Sequence, residues 1–323
     1  MDDGFRVLRE ASSDPARRLY GPMRRRSMAR HHRRRRVLAA LVLVALAAIA
    51  GKTILIRSPT APHGHHALGP GSAYLRRVAT LAGTGPTSLA GMLAAAESHA
   101  IDRTMAATPY VRIAGRQHRE IALTFDDGPG PYTPQIIEIL RRAKTRATFF
   151  EVGVLERYFH VSTTAIVAAG NVIGDHTEAH APMSRLSAFD QREQILEDAT
   201  VIGQYGAGFP RLFRPPYGQF NATTLRLLRR YRMLMVLWTV DTNDYRRPGV
   251  KAIVHSAVAG ARPGAIILMH DAGGNRAETV AALPKVIAAL RERRYTLVTV
   301  PRLLLDNPPP AHQNLRALAP GGG

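Results

Sequence analysis

The sequence predicts an α/β protein, a parallel sheet or barrel with alternating strands and helices, preceded by a single apolar N-terminal helix. Three observations lead there. From about Arg116 onward, short apolar runs alternate with longer stretches of helical spacing. Before that point, an uncharged apolar run follows directly on a block of arginines. The polar residues that stand out downstream fall just after the apolar runs, where parallel α/β folds gather their ligand sites.

Residues 1–36 hold 12 arginines against four acidic residues. Val37 to Gly51 (VLAALVLVALAAIAG) is free of charge, and beyond Lys52 the run resumes from Thr53 to Ile56. A helix over 37–56 just covers a hydrocarbon core of ~30 Å at ~1.5 Å per residue, with Lys52 snorkelling. Arg33–Arg36 keep the N-terminus in the cytoplasm and send the remainder across. A secretory signal cleaved near Ala50 (small-x-small at Ala48-Ile49-Ala50), twin-arginine export and a buried core helix are the other readings. The long basic n-region favours the uncleaved anchor, with the rest of the chain extracytoplasmic. Residues 57–115 read as a linker or stalk, rich in Pro, Gly and His near its start. Ser88 is placed to cap a helix through Met105 that either packs on the main domain or spaces it from the membrane. His63, His65 and His66 read as solvated linker rather than ligands.

The main domain is expected over 116–307, with a disordered tail at 308–323. Its strands are Glu120–Phe125, Ala147–Val152, Val172–Gly174, Met233–Val240, Ala265–Met269 and Tyr295–Val300, all apolar enough to be buried on both faces. Between them, Ile136, Ile137, Ile139 and Leu140 form one helical face. Ile195, Ala199 and Ile202 form a second, and Val280, Leu283, Val286, Ile287 and Leu290 a third. Periodicity alone does not separate an open sheet from a barrel. The chain has no cysteine, which excludes disulfides, thiolate nucleophiles and thiolate ligands. Its net charge of +20 suits an anionic partner, but aromatics are only 6% and no base-reading motif is present, so nucleic acid is not expected.

Five clusters carry chemistry. In Thr124-Phe125-Asp126-Asp127-Gly128-Pro129, one carboxylate can ligate a cation while its neighbour accepts a proton; alone, the segment is equally good turn chemistry. His176-Thr177-Glu178-Ala179-His180 sets two imidazoles at i and i+4, on one face of a helical turn. With Asp127 they make two histidines and a carboxylate, a set that leaves positions open for water and substrate. Arg214-Pro215-Pro216-Tyr217-Gly218 is a stiff loop with a cation able to grip a carboxylate, or a plain surface loop. Asp241-Thr242-Asn243-Asp244-Tyr245 reads as a site loop or a solvated turn. Leu268-Met269-His270-Asp271 ends a strand with an imidazole, functional or structural.

Taken in order, TFDDGP, HTEAH, RPPYG, DTNDY and LMHD, with ATFFEVG between the first two, resemble the polysaccharide deacetylase family (carbohydrate esterase family 4, the NodB-homology domain) over roughly Gln117 to Leu305. The resemblance implies a distorted (β/α)7 barrel. It implies a divalent metal, commonly zinc, with cobalt, nickel or manganese able to serve, on Asp127, His176 and His180. Asp126 would be the general base, oriented and restrained by Arg214. The Tyr217 N–H would help hold the oxyanion, and His270, tuned by Asp244, would be the general acid. Leu268 and Tyr245 would line the acetyl pocket, with Pro216 as a further substrate contact. Tyr245 departs from the usual Trp, and Asn171 and Asp175 from the usual His and Asn.

The expected function is removal of N-acetyl groups from N-acetylglucosamine units of an extracytoplasmic polysaccharide, peptidoglycan first, chitin-like oligomers or an exopolysaccharide next. An O-acetyl esterase acting on a glycan such as xylan and a silent glycan-binding module are the alternatives. The silent module is disfavoured because base, ligands and acid are all present.

Overall fold

The computed structural model describes residues 88–314. The expected cytoplasmic tail, the 37–56 helix, most of the linker and the end of the C-terminal tail lie outside the described residues. Among the described residues no helix is long and apolar enough to cross a membrane.

The elements alternate as the spacing predicts. They are α1 (Leu89–Ala107), β1 (Tyr110–Val111), β2 (Glu120–Gly128), α2 (Thr133–Arg142), β3 (Thr148–Glu151), α3 (Gly153–Ala168), β4 (Val172–Asp175), α4 (Ala188–Gln204), β5 (Leu212–Phe213), α5 (Ala222–Tyr231), β6 (Leu234–Val236), β7 (Val240–Asp241), α6 (Val250–Ala259), β8 (Ile266–His270), α7 (Ala277–Glu292), β9 (Thr296–Val298) and α8 (Val300–Asp306). The strands pair in the order β1-β6-β5-β4-β3-β2-β8-β7, with β9 alongside the start of β2. Every strand–strand ladder is parallel.

The expected single strand over 233–240 is two strands, because this stretch serves both ends of the sheet. β6 pairs near one edge and β7 forms the other, with only Leu237-Trp238-Thr239 between them. Leu237 N–H donates to Val111 O and Thr239 N–H to Ile266 O. The sheet is thus curled until one length of chain bridges its ends, a half-closed barrel that fits the distorted (β/α)7 form.

Strand alternation sorts two cores. On β2, Ile121, Leu123 and Phe125 face outward and pack with Ile136 and Leu140 of α2 and Leu283, Val286 and Leu290 of α7. Ala122 faces inward, with Phe150, Leu212, Leu234 and Ile266, and this interior is closed by Ala100 and Ile101 of α1 and Leu303 and Leu304 of α8. The domain therefore begins well before 116. Ser88 caps α1 by accepting the Gly91 N–H at 3.0 Å, Asp102 accepts from Arg211 at 2.5 Å, and β1 joins the sheet. The segment read as stalk belongs to the fold from residue 88. The tail boundary shifts too, since Gln313 accepts from the Arg112 and Ile113 N–H groups and donates to Ile113 O. Val300, expected at the end of a strand, instead opens α8, where Thr299 caps the helix through the Arg302 N–H.

Candidate active site

Parallel strands bring the βα connections to one end of the sheet, and the five clusters meet there. Asp126 lies inward on β2, two residues beyond Thr124, and its register partner on β8 is His270. The next residue breaks the alternation. Asp127 has φ 71 and the β2–β3 register shifts between Asp126 and Gly128, so two neighbouring carboxylates reach the same cavity from different angles. Gly273, also at positive φ (73), makes room: a Cβ there would collide with Asp127 Oδ2.

The histidine pair does not sit on a helical turn. His176 to His180 is irregular backbone beyond β4, with Thr177 at φ 73 and His180 at φ 52. The imidazoles converge all the same, because the loop folds back instead of winding on. His180 Nε2 stands 3.1 Å from Asp127 Oδ1 and His176 Nε2 3.6 Å from it, and one ligand atom from each of the three lies within 4.8 Å of the others. His176 Nδ1 lies 2.6 Å from the Arg214 carbonyl, so it donates its proton there and leaves Nε2 with a lone pair toward the cavity. His176 N–H donates to Asp198 Oδ2, and Thr177 N–H to Asp175 Oδ1, both at 2.9 Å. This is the consequence of Asp175: with Asp198 it fastens the backbone that carries the first histidine. Burial raises both carboxyls above the usual carboxylate range, Asp175 to about 8.

Arg214, fully buried, is the hub. Its guanidinium donates to Asp126 Oδ1 at 2.6 Å, Thr124 Oγ1 at 2.8 Å and the carbonyls of Val236 and Leu237, and it lies 4.1 Å over the Phe150 ring. Across the cavity, His270 Nδ1 lies 2.7 Å from Asp244 Oδ1. Asp244 Oδ2 accepts from His270 N–H and from Thr279 Oγ1. Burial works against a charge on His270. The negative charge and hydrogen bond of Asp244, then Asp127 and Asp126, outweigh it and push His270 up to about 9. Burial likewise opposes ionisation of Asp127, but the His176 and His180 imidazoles beside it and the His270 charge hold it well below the usual range.

The remaining residues form the walls. Leu268 is buried on the inward face of β8, in register with Thr124. The Tyr245 ring meets His270 edge-on at 5.3 Å. Pro216 is buried, while Tyr217, at φ 60, is largely exposed with its ring 4.7 Å from that of His180. Sequence reasoning missed Asp198, Thr279, Gly273 and Trp238, the chain's one tryptophan, which lies under the Gly218 turn.

A family model described as polysaccharide deacetylase matches residues 114–236. A peptidoglycan-N-acetylglucosamine deacetylase of Bacillus cereus is 37% identical over 187 residues, covering 57% of this chain and 87% of the relative. The chain belongs to the polysaccharide deacetylase family. A chitooligosaccharide deacetylase of a Bradyrhizobium species is 33% identical over 198 residues, covering 57% of this polysaccharide deacetylase and 90% of its relative. The crystal structure of a peptidoglycan N-acetylglucosamine deacetylase (Bc1960) superposes with a TM-score of 0.60 at 30% identity, covering 62% of this chain and 94% of the other.

Proposed function

We propose that this chain is a metal-dependent deacetylase that removes N-acetyl groups from N-acetylglucosamine units of an extracytoplasmic polysaccharide, peptidoglycan first. The observation that carries the reading is the convergence of Asp127, His176 and His180 between a carboxylate base on one side and a protonated histidine on the other.

The donor set fits a divalent ion: two imidazole nitrogens and a carboxylate, with His176 held in the tautomer that offers Nε2. Zinc is the first choice, with cobalt, nickel or manganese as alternatives. Such an ion supplies Lewis acidity toward the amide carbonyl and makes a water more acidic. Asp126 takes the proton from the attacking water. Arg214 keeps it aimed through the 2.6 Å ion pair. The Tyr217 N–H supports the oxyanion. His270 passes its proton to the amide nitrogen as the carbon–nitrogen bond breaks, because an unprotonated amine leaves poorly. Leu268, Tyr245 and Pro216 bound the acetyl and sugar side.

The chain is read as anchored by residues 37–56 with the catalytic fold outside the cytoplasmic membrane. The Arg block before that run supports the orientation. The test is acetate release from metal-loaded protein offered acetylated peptidoglycan, chitooligosaccharides and acetylxylan. Peptidoglycan is expected to react best. Release from acetylxylan alone would turn the assignment to an O-acetyl esterase, and none from any substrate with metal bound would overturn catalysis altogether.

A further inference from the structure

At the end of the fold opposite the site, where each helix hands over to the next strand, basic residues gather. The approach to β2 reads RQHR (116–119), the α2–β3 connection RRAKTR (141–146), the α5–β6 connection RRYR (229–232) and the α7–β9 connection RERR (291–294). Every arginine and lysine in these four segments is exposed. The opposite end holds Asp126, Asp127, Asp241, Asp244, Asp190 and Glu193. Arginines stand at the site end as well, Arg185, Arg192, Arg246 and Arg247 among them, so the contrast is a dense run of cations at one end against mixed charge at the other.

Helix C-termini favour cations, but only within the last turn. Lys144 and Arg294 lie beyond their helices, and with Arg232 they occupy left-handed backbone at φ 47, 61 and 57. Glycine is the residue suited to such a position, and Gly170 (φ 73) fills it after α3. Three helix ends thus carry a cation where local conformation prefers glycine. Arg232 also pairs with Asp102 at 3.1 Å, but for Lys144 and Arg294 helix punctuation does not explain the choice, and concentrating like charge on one face is itself unfavourable.

We propose that this end of the fold docks on an anionic lipid surface, which turns the deacetylase site away from it. The choice of lipid rests on reading residues 37–56 as a membrane segment, because α1 follows that run and closes the basic end.

The test uses the full chain reconstituted in vesicles of phosphatidylcholine, alone or mixed with phosphatidylglycerol. The chain has no cysteine, so Glu292→Cys and Asp190→Cys each give a single label, one at either end. Headgroup quencher should dim the label at 292 only in anionic vesicles and leave the one at 190 bright. Salt near 1 M, where the screening length falls to about 3 Å, should reverse the dimming. The triple variant Lys144→Gly, Arg232→Gly, Arg294→Gly suits the backbone there, so it should fold and release acetate as the parent does. Its docking should weaken about fivefold per charge. Arg229→Gln with Arg230→Gln is the second variant, expected to weaken docking without touching a left-handed residue. Equal dimming in neutral vesicles, undiminished dimming in both variants, or saturable binding to soluble polyphosphate with no dimming at 292 would each overturn the proposal. Acetate release in the same samples reports separately on the deacetylase reading.

Discussion

At the residue scale, the division of labour between neighbours is the point most open to test. Asp126→Ala should abolish acetate release while the protein still binds close to one equivalent of metal, read by elemental analysis; loss of the metal would mean the two carboxylates have been assigned in reverse. His270 is charged below about 9 and loses its proton as pH rises past that value, so turnover should fall on the alkaline side. Asp244→Asn removes the charge and hydrogen bond that hold the imidazole up. The alkaline limb of the kcat/KM profile should then move to lower pH, with a drop of about 10²-fold or more at neutral pH. An unmoved limb would assign it to another group. Asp126, Asp127, His176 and His270 were legible as candidates because each comes at or just after the end of an apolar run. Asp198, Thr279 and Gly273 were not. Each acts on a partner 22, 35 or 146 positions away, and nothing in a single sequence marks such a pairing.

At the scale of elements, hydrophobic spacing found most of the strands and the helical faces, and misjudged where the fold begins. α1 shows why. Its apolar residues suit either a packed helix or a spacer, and only the barrel floor decides, by burying Ala100 and Ile101 and leaving Leu89 and Met92 in solvent. Ile101→Ala should cost about 2–5 kcal/mol in denaturant unfolding, the range for a large aliphatic lost from a packed core. Met92→Ala should stay within about 0.5 kcal/mol. Equal effects would mean α1 is not part of the cooperative unit. β1 and β5, two residues each, are too short for any periodicity, and the division of 233–240 into two strands follows from sheet closure, a property of the whole ladder. The histidine pair was found by spacing but given the wrong backbone, since i and i+4 are neighbours on a helix and can also meet across a folded loop.

For the whole molecule, the resemblance named the barrel that periodicity left open, and the described structure adds how charge is distributed. Behind the site lies a buried acidic group, Glu151, Glu156, Asp175 and Asp198, with no exposed carboxylate among them. Burial, then the charges of Asp175 and Glu178, push Glu156 up to about 8 from an ordinary 4.5, against the lowering charge of Arg157. The folded state therefore keeps a proton that the unfolded chain gives up. Its contribution to stability is complete below pH 4.5 and is lost as pH rises toward about 8. Glu156→Gln should flatten the fall of Tm across that interval and leave Tm unchanged at its acid end; an unaltered slope would show that the proton sits elsewhere. One last consequence follows from the kinked end of β2. The carboxylates proposed as base and ligand, Asp126 and Asp127, are consecutive letters of the chain, set apart by one left-handed residue. Deleting a single codon upstream in the strand would put Asp127 in the place of Asp126, turn Asp126 outward and leave Gly128 where Asp127 stands, while the neighbouring strands remain to be paired. A lineage carrying this site can thus lose its chemistry by the smallest in-frame accident and inherit the scaffold for other uses.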